Sequence, residues 1–178
     1  MRHDPAGTQR FPTAALLLAL LFASGCDPDL PPGFGDRIPD AELEVVDPTG
    51  SDWHVGQRIR LSDLEHQAVI LDFWASWCGP CKGQHAFVSE LVERYGDDLQ
   101  AVGILHDDTP ENALAWLEAQ GASYPTVREV DGTLESTFWL RGIPRFVMLD
   151  GDRRLSWDMM GMWGTDSARV RLDQLLGR

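Results

Sequence analysis

The segment Val69-Ile70-Leu71-Asp72-Phe73-Trp74-Ala75-Ser76-Trp77-Cys78-Gly79-Pro80-Cys81-Lys82 decides how the rest of the chain is read. Ala68 to Trp74 is a short, mostly apolar run, suited to a strand buried on both faces. The pattern then predicts a helix from about Gly79 to Tyr95, stopped by Gly96. Pro80 falls in its first turn, where a missing N–H costs nothing. Two cysteines two residues apart therefore sit where a buried strand hands over to a helix. Cys78 is expected at the helix N-terminus, where unpaired N–H groups and the macrodipole favour an anion. That makes Cys78 the nucleophile. Cys81, one turn on along the same face, is placed to close a disulfide with it and to resolve a mixed disulfide with a substrate.

A Cys-X-X-Cys pair also serves in zinc sites, but a structural zinc needs four ligands. No second pair exists, and His85, four residues past Cys81, keeps only a partial site open. No metal and no cofactor are assigned. Met159, Met160 and Met162 lie close together between Trp157 and Trp163. Clustered thioethers suit Cu(I), although methionines in a strand more often fill a core or line an adaptable surface. His54, His66 and His106 show no ligand spacing.

The chain has 178 residues and a formal net charge of −13, which argues against nucleic acid as a partner. Its three cysteines are Cys26, Cys78 and Cys81, and Lys82 is its single lysine. Arg2 and Arg10 precede an apolar stretch, Phe11 to Ala23, of thirteen residues. A spanning helix needs about 20. The stretch ends Phe22-Ala23-Ser24-Gly25-Cys26, which resembles a bacterial lipobox, with Ala23 where leucine is usual. Residues 1–25 are thus expected to be a lipoprotein signal peptide, with lipidation at Cys26 and an ordinary secretory signal as the alternative. Either route exports the mature chain to a compartment where disulfides persist. Residues 26–42, rich in Pro, Gly and Asp, read as a lipid-anchored tether. Sixteen such residues, Asp27 to Glu42, reach on the order of 20 Å.

The folded domain is expected over residues 43–178. Leu43 to Val46 and Trp53 to Val55 read as a hairpin around Asp47-Pro48-Thr49-Gly50. Leu99 to Leu105 is a second buried strand. Thr109-Pro110-Glu111 opens a helix running to Gln120. Leu134 to Leu140 reads as a short helix, and Arg145 to Leu149 and Arg154 to Met160 as strands around Asp150-Gly151-Asp152. Asp166 to Leu176 closes the chain as a helix with Val170, Leu172, Leu175 and Leu176 as its apolar set. This order gives an α/β fold, a mixed sheet with helices on both faces.

Phe73 to Lys82 resembles the thioredoxin active-site segment. The layout from Leu43 to Leu176 resembles the exported TlpA/ResA-like branch of that superfamily, with its N-terminal β-hairpin extension, its insertion around Asp107 to Arg141 and a Gly142-Ile143-Pro144 loop before a strand. The resemblance implies a thioredoxin fold and a thiol–disulfide oxidoreductase that exchanges disulfides of exported proteins through Cys78 and Cys81. It implies that Pro144 is a cis-proline facing the cysteines. It also implies a substrate groove bordered by Trp77, Gly79, Pro80, Ile143, Pro144, Met160, Gly161 and Met162. The Gly79-Pro80 dipeptide and Ile143 resemble reducing members. A reductase outside the cytoplasm needs a membrane electron donor, for which the family expectation is of DsbD/CcdA type. An oxidase or isomerase, and a copper chaperone, are the alternatives. A peroxidase is disfavoured, because no Pro-rich Pxxx(T/S)xxC segment precedes Cys78.

Asp72 is the polar residue inside the apolar strand. Burial should push its carboxyl toward the neutral form. The resemblance gives it a proton-transfer role with Cys81. Two departures matter. Gly103 stands where thioredoxins place a lysine, so little is expected to neutralise Asp72. Gln84 stands where ResA-like chains carry a glutamate, and Ala86 where a proline often follows, so that glutamate's acid–base role does not carry over.

Overall fold

A computed structural model describes residues 30–162 and 165–178. Cys26, the signal segment and Trp163 lie outside the described residues. One seven-stranded mixed sheet organises the chain, in the order β2-β1-β5-β4-β3-β6-β7. Its strands are β1 (Glu42–Asp47), β2 (Arg58–Arg60), β3 (Ala68–Trp74), β4 (Leu99–Leu105), β5 (Thr126–Glu129), β6 (Arg145–Asp150) and β7 (Leu155–Met160). The helices are α1 (Cys81–Tyr95), α2 (Pro110–Gln120), α3 (Thr133–Thr137) and α4 (Thr165–Leu175).

Every residue of β3 is buried, as its apolar run predicts. It is the inner strand, parallel to β4 and antiparallel to β6. Alternation then sorts its side chains. Leu71 and Phe73 face one layer with Val102, Ile104, Val127, Val147 and Leu149. Ile70 faces the other, against Val88 and Leu91 of α1 and Leu172 of α4. Asp72, two residues on, shares that second side. Each such buried aliphatic contributes about 1.5–3 kcal/mol relative to exposure. The first layer is closed by Leu134 of α3, Phe138, Leu61 and Ile38.

Several boundaries differ from the sequence expectation. The returning strand of the N-terminal hairpin is Arg58–Arg60 and not residues 53–55. Trp53 instead packs against the core from a loop. The stretch assigned to the tether is partly folded. Ile38 and Ala41 are buried, the amides of Gly35 and Ile38 donate to the carbonyls of Leu155 and Arg153, and Phe34 stacks on Trp157. The packed unit thus starts near Phe34, because the β7 edge takes up this segment's backbone hydrogen bonds. β5 was not anticipated; Tyr124-Pro125 precedes only four strand residues, and β5 pairs with both β4 and β1. In α4 the buried residues are Ala168 and Leu172, whereas Val170 is exposed. The stripe turns at helical period, and Val170 lies outside it. Among the described residues no helix is long and apolar enough to cross a membrane.

Candidate active site

α1 starts at Cys81, with Pro80 as its N-cap, slightly later than expected. Cys78 lies in the turn between β3 and the helix. Its amide donates to the Ala75 carbonyl (3.1 Å), and its own carbonyl accepts from the Cys81 amide (3.1 Å). The first helical N–H groups are thus used by the turn, and the positive end of the dipole remains. Cys78 and Cys81 are joined in a disulfide with Cα atoms 5.3 Å apart. Cys81 has no exposed surface, whereas Cys78 keeps 5% of its own.

The turn is held from the loop after β4. The Ser76 amide donates to Asp108 Oδ2 (2.6 Å), and the Trp77 indole donates to the Asp107 carbonyl (2.9 Å). Burial would raise the Asp108 pKa, but hydrogen bonds led by Ser76, with Thr109 and Asn112, outweigh it and hold the carboxyl below its usual range. Thr109 caps α2 by accepting from the Asn112 amide, as its sequence signal predicts.

The Ile143–Pro144 bond is cis, as the resemblance implies. Ile143 packs against the cluster that contains Cys78 and Cys81. The Gly161 amide donates to the Pro144 carbonyl at 2.8 Å, and the Met162 sulfur and methyl lie over Gly83 in the first turn of α1. Gly161 thus joins Pro144, and its neighbour Met162 reaches the first turn of α1. The expected groove is only partly an open apolar surface. Trp77 and Met162 are exposed, as are Gly79 and Pro80, but Ile143 is half-buried and Pro144 is buried. Trp77 leans toward Asp107. Arg145, which the sequence reading did not single out, locks this corner. It makes a two-pronged ion pair with Asp158 of β7 (2.9 and 2.5 Å) and donates to the Phe138 carbonyl. A buried guanidinium is tolerated because it is paired and hydrogen-bonded.

Met159 is buried in the core, whereas Met160 and Met162 are exposed, so Met159 does not share a surface with the other two. Both nitrogens of His85 are engaged. Nδ1 lies 2.7 Å from the Tyr124 hydroxyl, and Nε2 lies 3.3 Å from the Gly121 carbonyl.

Asp72 is wholly buried and pairs across the backbone with Gly103 of β4, which bears out the missing lysine. It is not left bare, however. Gln84 Nε2 donates to Oδ1 (2.5 Å) and the Tyr124 hydroxyl donates to Oδ2 (2.6 Å). Burial pushes the carboxyl up; the Gln84 and Tyr124 hydrogen bonds and the His85 charge pull it down, and burial wins. The direction expected from the sequence therefore holds, with more opposition than expected. Gln84 also acquires a reason: a carboxamide donates to Asp72, whereas a glutamate would set two buried carboxyls against each other. Cys81, Gln84, His85 and Val88 are all buried on one face of α1. Their i, i+3, i+4 and i+7 spacing is a signal that could have found Gln84 and His85. Tyr124 carries no comparable local signal.

A thioredoxin fold with a bonded Cys-X-X-Cys pair at the start of its first helix and a cis-proline just before β6 defines a thioredoxin-superfamily protein. The chain belongs to the AhpC/TSA family, whose sequence pattern matches residues 34–157. It is 29% identical over 108 residues to the thiol:disulfide interchange protein HelX of Rhodobacter capsulatus, covering 60% of each chain. It is 26% identical over 111 residues to the thiol-disulfide oxidoreductase ResA of Oceanobacillus iheyensis, covering 62% of this chain and 56% of that one. The matches thus span little more than half the length of these relatives. A crystal structure described as a thiol:disulfide interchange protein DsbE from Chlorobium tepidum superposes with a TM-score of 0.70 at 22% identity, covering 82% of this chain and 99% of that one.

Proposed function

We propose that this chain is a thiol–disulfide oxidoreductase that reduces disulfides of exported proteins through Cys78 and Cys81. The carrying observation is the asymmetry of the pair. Cys78 keeps access to solvent in the turn before α1, while Cys81 is sealed behind it. An incoming disulfide can then be attacked only by Cys78. In the first step the Cys78 thiolate attacks a substrate sulfur, forms a mixed disulfide and expels the other substrate thiolate, which takes a proton from water. In the second step Cys81 loses its proton to the Asp72 carboxylate and attacks Cys78. The Cys78–Cys81 bond forms, the mixed disulfide breaks and the second substrate sulfur leaves as a thiolate, which takes a proton from water. The pair has then lost two electrons and the substrate disulfide has gained them. A membrane donor of DsbD/CcdA type restores the dithiol in this reading. The half-buried Ile143 and the cis-Pro144 offer backbone to an extended substrate segment, with Trp77, Gly79, Pro80, Gly161 and Met162 around it.

Limiting iodoacetamide on the reduced protein is expected to label Cys78 before Cys81, read by peptide mass spectrometry. Preferential labelling of Cys81 would reverse the roles. The reductase direction is tested by equilibrating the pair with glutathione or dithiothreitol. A potential near that of thioredoxin, about −270 mV, supports a reductase, and one near that of DsbA, about −120 mV, supports an oxidase.

The anchor belongs to the same reading and rests on the Ser24-Gly25-Cys26 sequence. Cys26→Ser is expected to release the domain from the membrane fraction of the producing cell into the soluble exported fraction. A wild-type protein already soluble, with a mature N-terminus away from Cys26, would remove the lipoprotein claim.

A further inference from the structure

A carboxyl with no exposed surface, like that of Asp72, does not trade protons with water directly. In the resolving step proposed above, however, it takes a proton from Cys81 and afterwards loses it. Its two hydrogen-bonded neighbours differ in what they can do. The Gln84 carboxamide holds its protons. The Tyr124 hydroxyl touches Asp72 Oδ2 at 2.6 Å and His85 Nδ1 at 2.7 Å, and a hydroxyl both donates and accepts. Beyond His85, Nε2 faces the Gly121 carbonyl, which only accepts, so Nε2 carries a hydrogen. His85 and Gly121 then line a surface pocket together with Lys82, Glu90 and Glu93.

Two proton arrangements satisfy this chain with the same number of protons. In one, neutral Asp72 donates to Tyr124, and Tyr124 donates to the Nδ1 of a neutral imidazole. In the other, ionised Asp72 accepts from Tyr124, which accepts from an imidazolium. Passage between them moves one proton from Asp72 to Tyr124 and one from Tyr124 to His85, and no atom needs to travel. In the second arrangement the His85 ring lies beside aromatic rings, with centroids at 4.8 Å for Tyr124 and 5.3 Å for Trp116. Such rings favour a cation. Asp72 on β3 and His85 on α1 are the ionisable acid and base of the chain, joined by Tyr124. β4 contributes Gly103 beside Asp72, and β6 contributes Phe146; neither brings a charge.

We propose that Tyr124 and His85 are positioning residues that form a proton relay, carrying the proton of the Cys81 resolving step between buried Asp72 and the solvent pocket beside α1. The relay rests on the exchange reaction proposed above, but its test does not require activity. In oxidised protein labelled with ¹⁵N-histidine and ¹³C-aspartate, the His85 ring nitrogens and the Asp72 carboxyl should titrate as one coupled system. Each should show the same inflections with pH, and Asp72→Asn should shift the His85 midpoint. Tyr124→Phe should separate the two titrations. His85→Asn keeps an acceptor toward Tyr124 but takes no proton, so it serves if Tyr124→Phe does not fold; it should leave Asp72 with a single inflection. In stopped-flow resolution of a trapped mixed disulfide, either variant should lose the pH limb contributed by His85 and slow the step on the order of tenfold, at the low end of acid–base effects. Independent titrations of Asp72 and His85 in the wild type, or variants with the wild-type pH profile, would overturn the relay and leave the exchange function standing. Coupled titrations in a protein that exchanges no disulfides would keep the proton path between Asp72 and His85 and overturn the function.

Discussion

Asp72→Asn is expected to slow resolution of a trapped mixed disulfide by about 10²-fold or more, the usual scale for losing a placed acid–base group, while making the folded protein more stable near neutral pH. The two effects share one cause. In the proposed resolving step the carboxylate is the base that takes the Cys81 proton, and it is also the charged form that burial penalises. Asparagine is neutral and keeps the shape. Its oxygen can accept from Gln84 and one amide hydrogen can donate to Tyr124, which then donates to His85; the second amide hydrogen is a new buried donor whose cost offsets part of the gain. The sign of the pH dependence follows from linkage. The folded pKa of Asp72 is raised, so the folded state holds its proton longer than the unfolded chain does. Wild-type stability therefore falls as pH rises from the unfolded value of about 3.9 through the raised folded value. The asparagine variant lacks this loss. Urea unfolding of the reduced proteins at about pH 5 and about pH 8 should show its advantage widening at the higher pH. Resolution at the wild-type rate together with a constant stability gap would make Asp72 a structural residue only.

Gly103→Ala is expected to cost about 1–3 kcal/mol of stability, the range for overpacking a filled core. A methyl group there would stand 2.7 Å from Trp74 Nε1 and 2.8 Å from Thr126 Oγ1. Neither neighbour has free room. Trp74 is buried against Trp116, with ring centroids 4.8 Å apart, and Thr126 is buried on the next strand. The backbone of β4 is hydrogen-bonded on both sides, so the strand cannot step back alone. Trp74 also shares the cluster containing Cys78 and Cys81; its displacement should disturb the pair. Chemical denaturation should show a lower midpoint with an unchanged slope, and a midpoint equal to wild type would mean that Trp74 moves freely. The same crowding explains why a lysine has no place at this position. Asp72 is served instead by neutral donors from α1 and from the segment before β5.

Much of the fold was legible because its signals are local. The apolar run of β3, the proline at the start of α1, the Thr109 cap and the Asp150-Gly151-Asp152 turn each express a short-range preference that the tertiary structure did not override. Trp53 to Val55 misled because an aromatic and a β-branched residue flanking His54 read as a strand, although here Trp53 serves the core from a loop. The Pro- and Gly-rich stretch before β1 misled in the opposite sense. Its composition favours an open chain, but the free edge of β7 and the Trp157 ring give Phe34 to Ala41 something to pack on, and a partner strand's edge is invisible in the sequence that joins it.

The division at the site is sharper. The sequence by itself determined the redox pair, because two cysteines three positions apart at the entry to a helix are placed to meet, and it determined that Asp72 would be buried, because the residues flanking it have no other place to go. Only the tertiary structure decided what surrounds Asp72. Gln84, His85 and Tyr124 lie 12, 13 and 52 positions away along the chain, and no short-range rule connects them. They converge because α1 crosses the face of the sheet that carries Asp72, while the crossover from α2 returns Tyr124 to the same spot. Sequence periodicity says which residues turn inward. Which of those then touch is set by the order of the strands, and a proton path exists only where they touch.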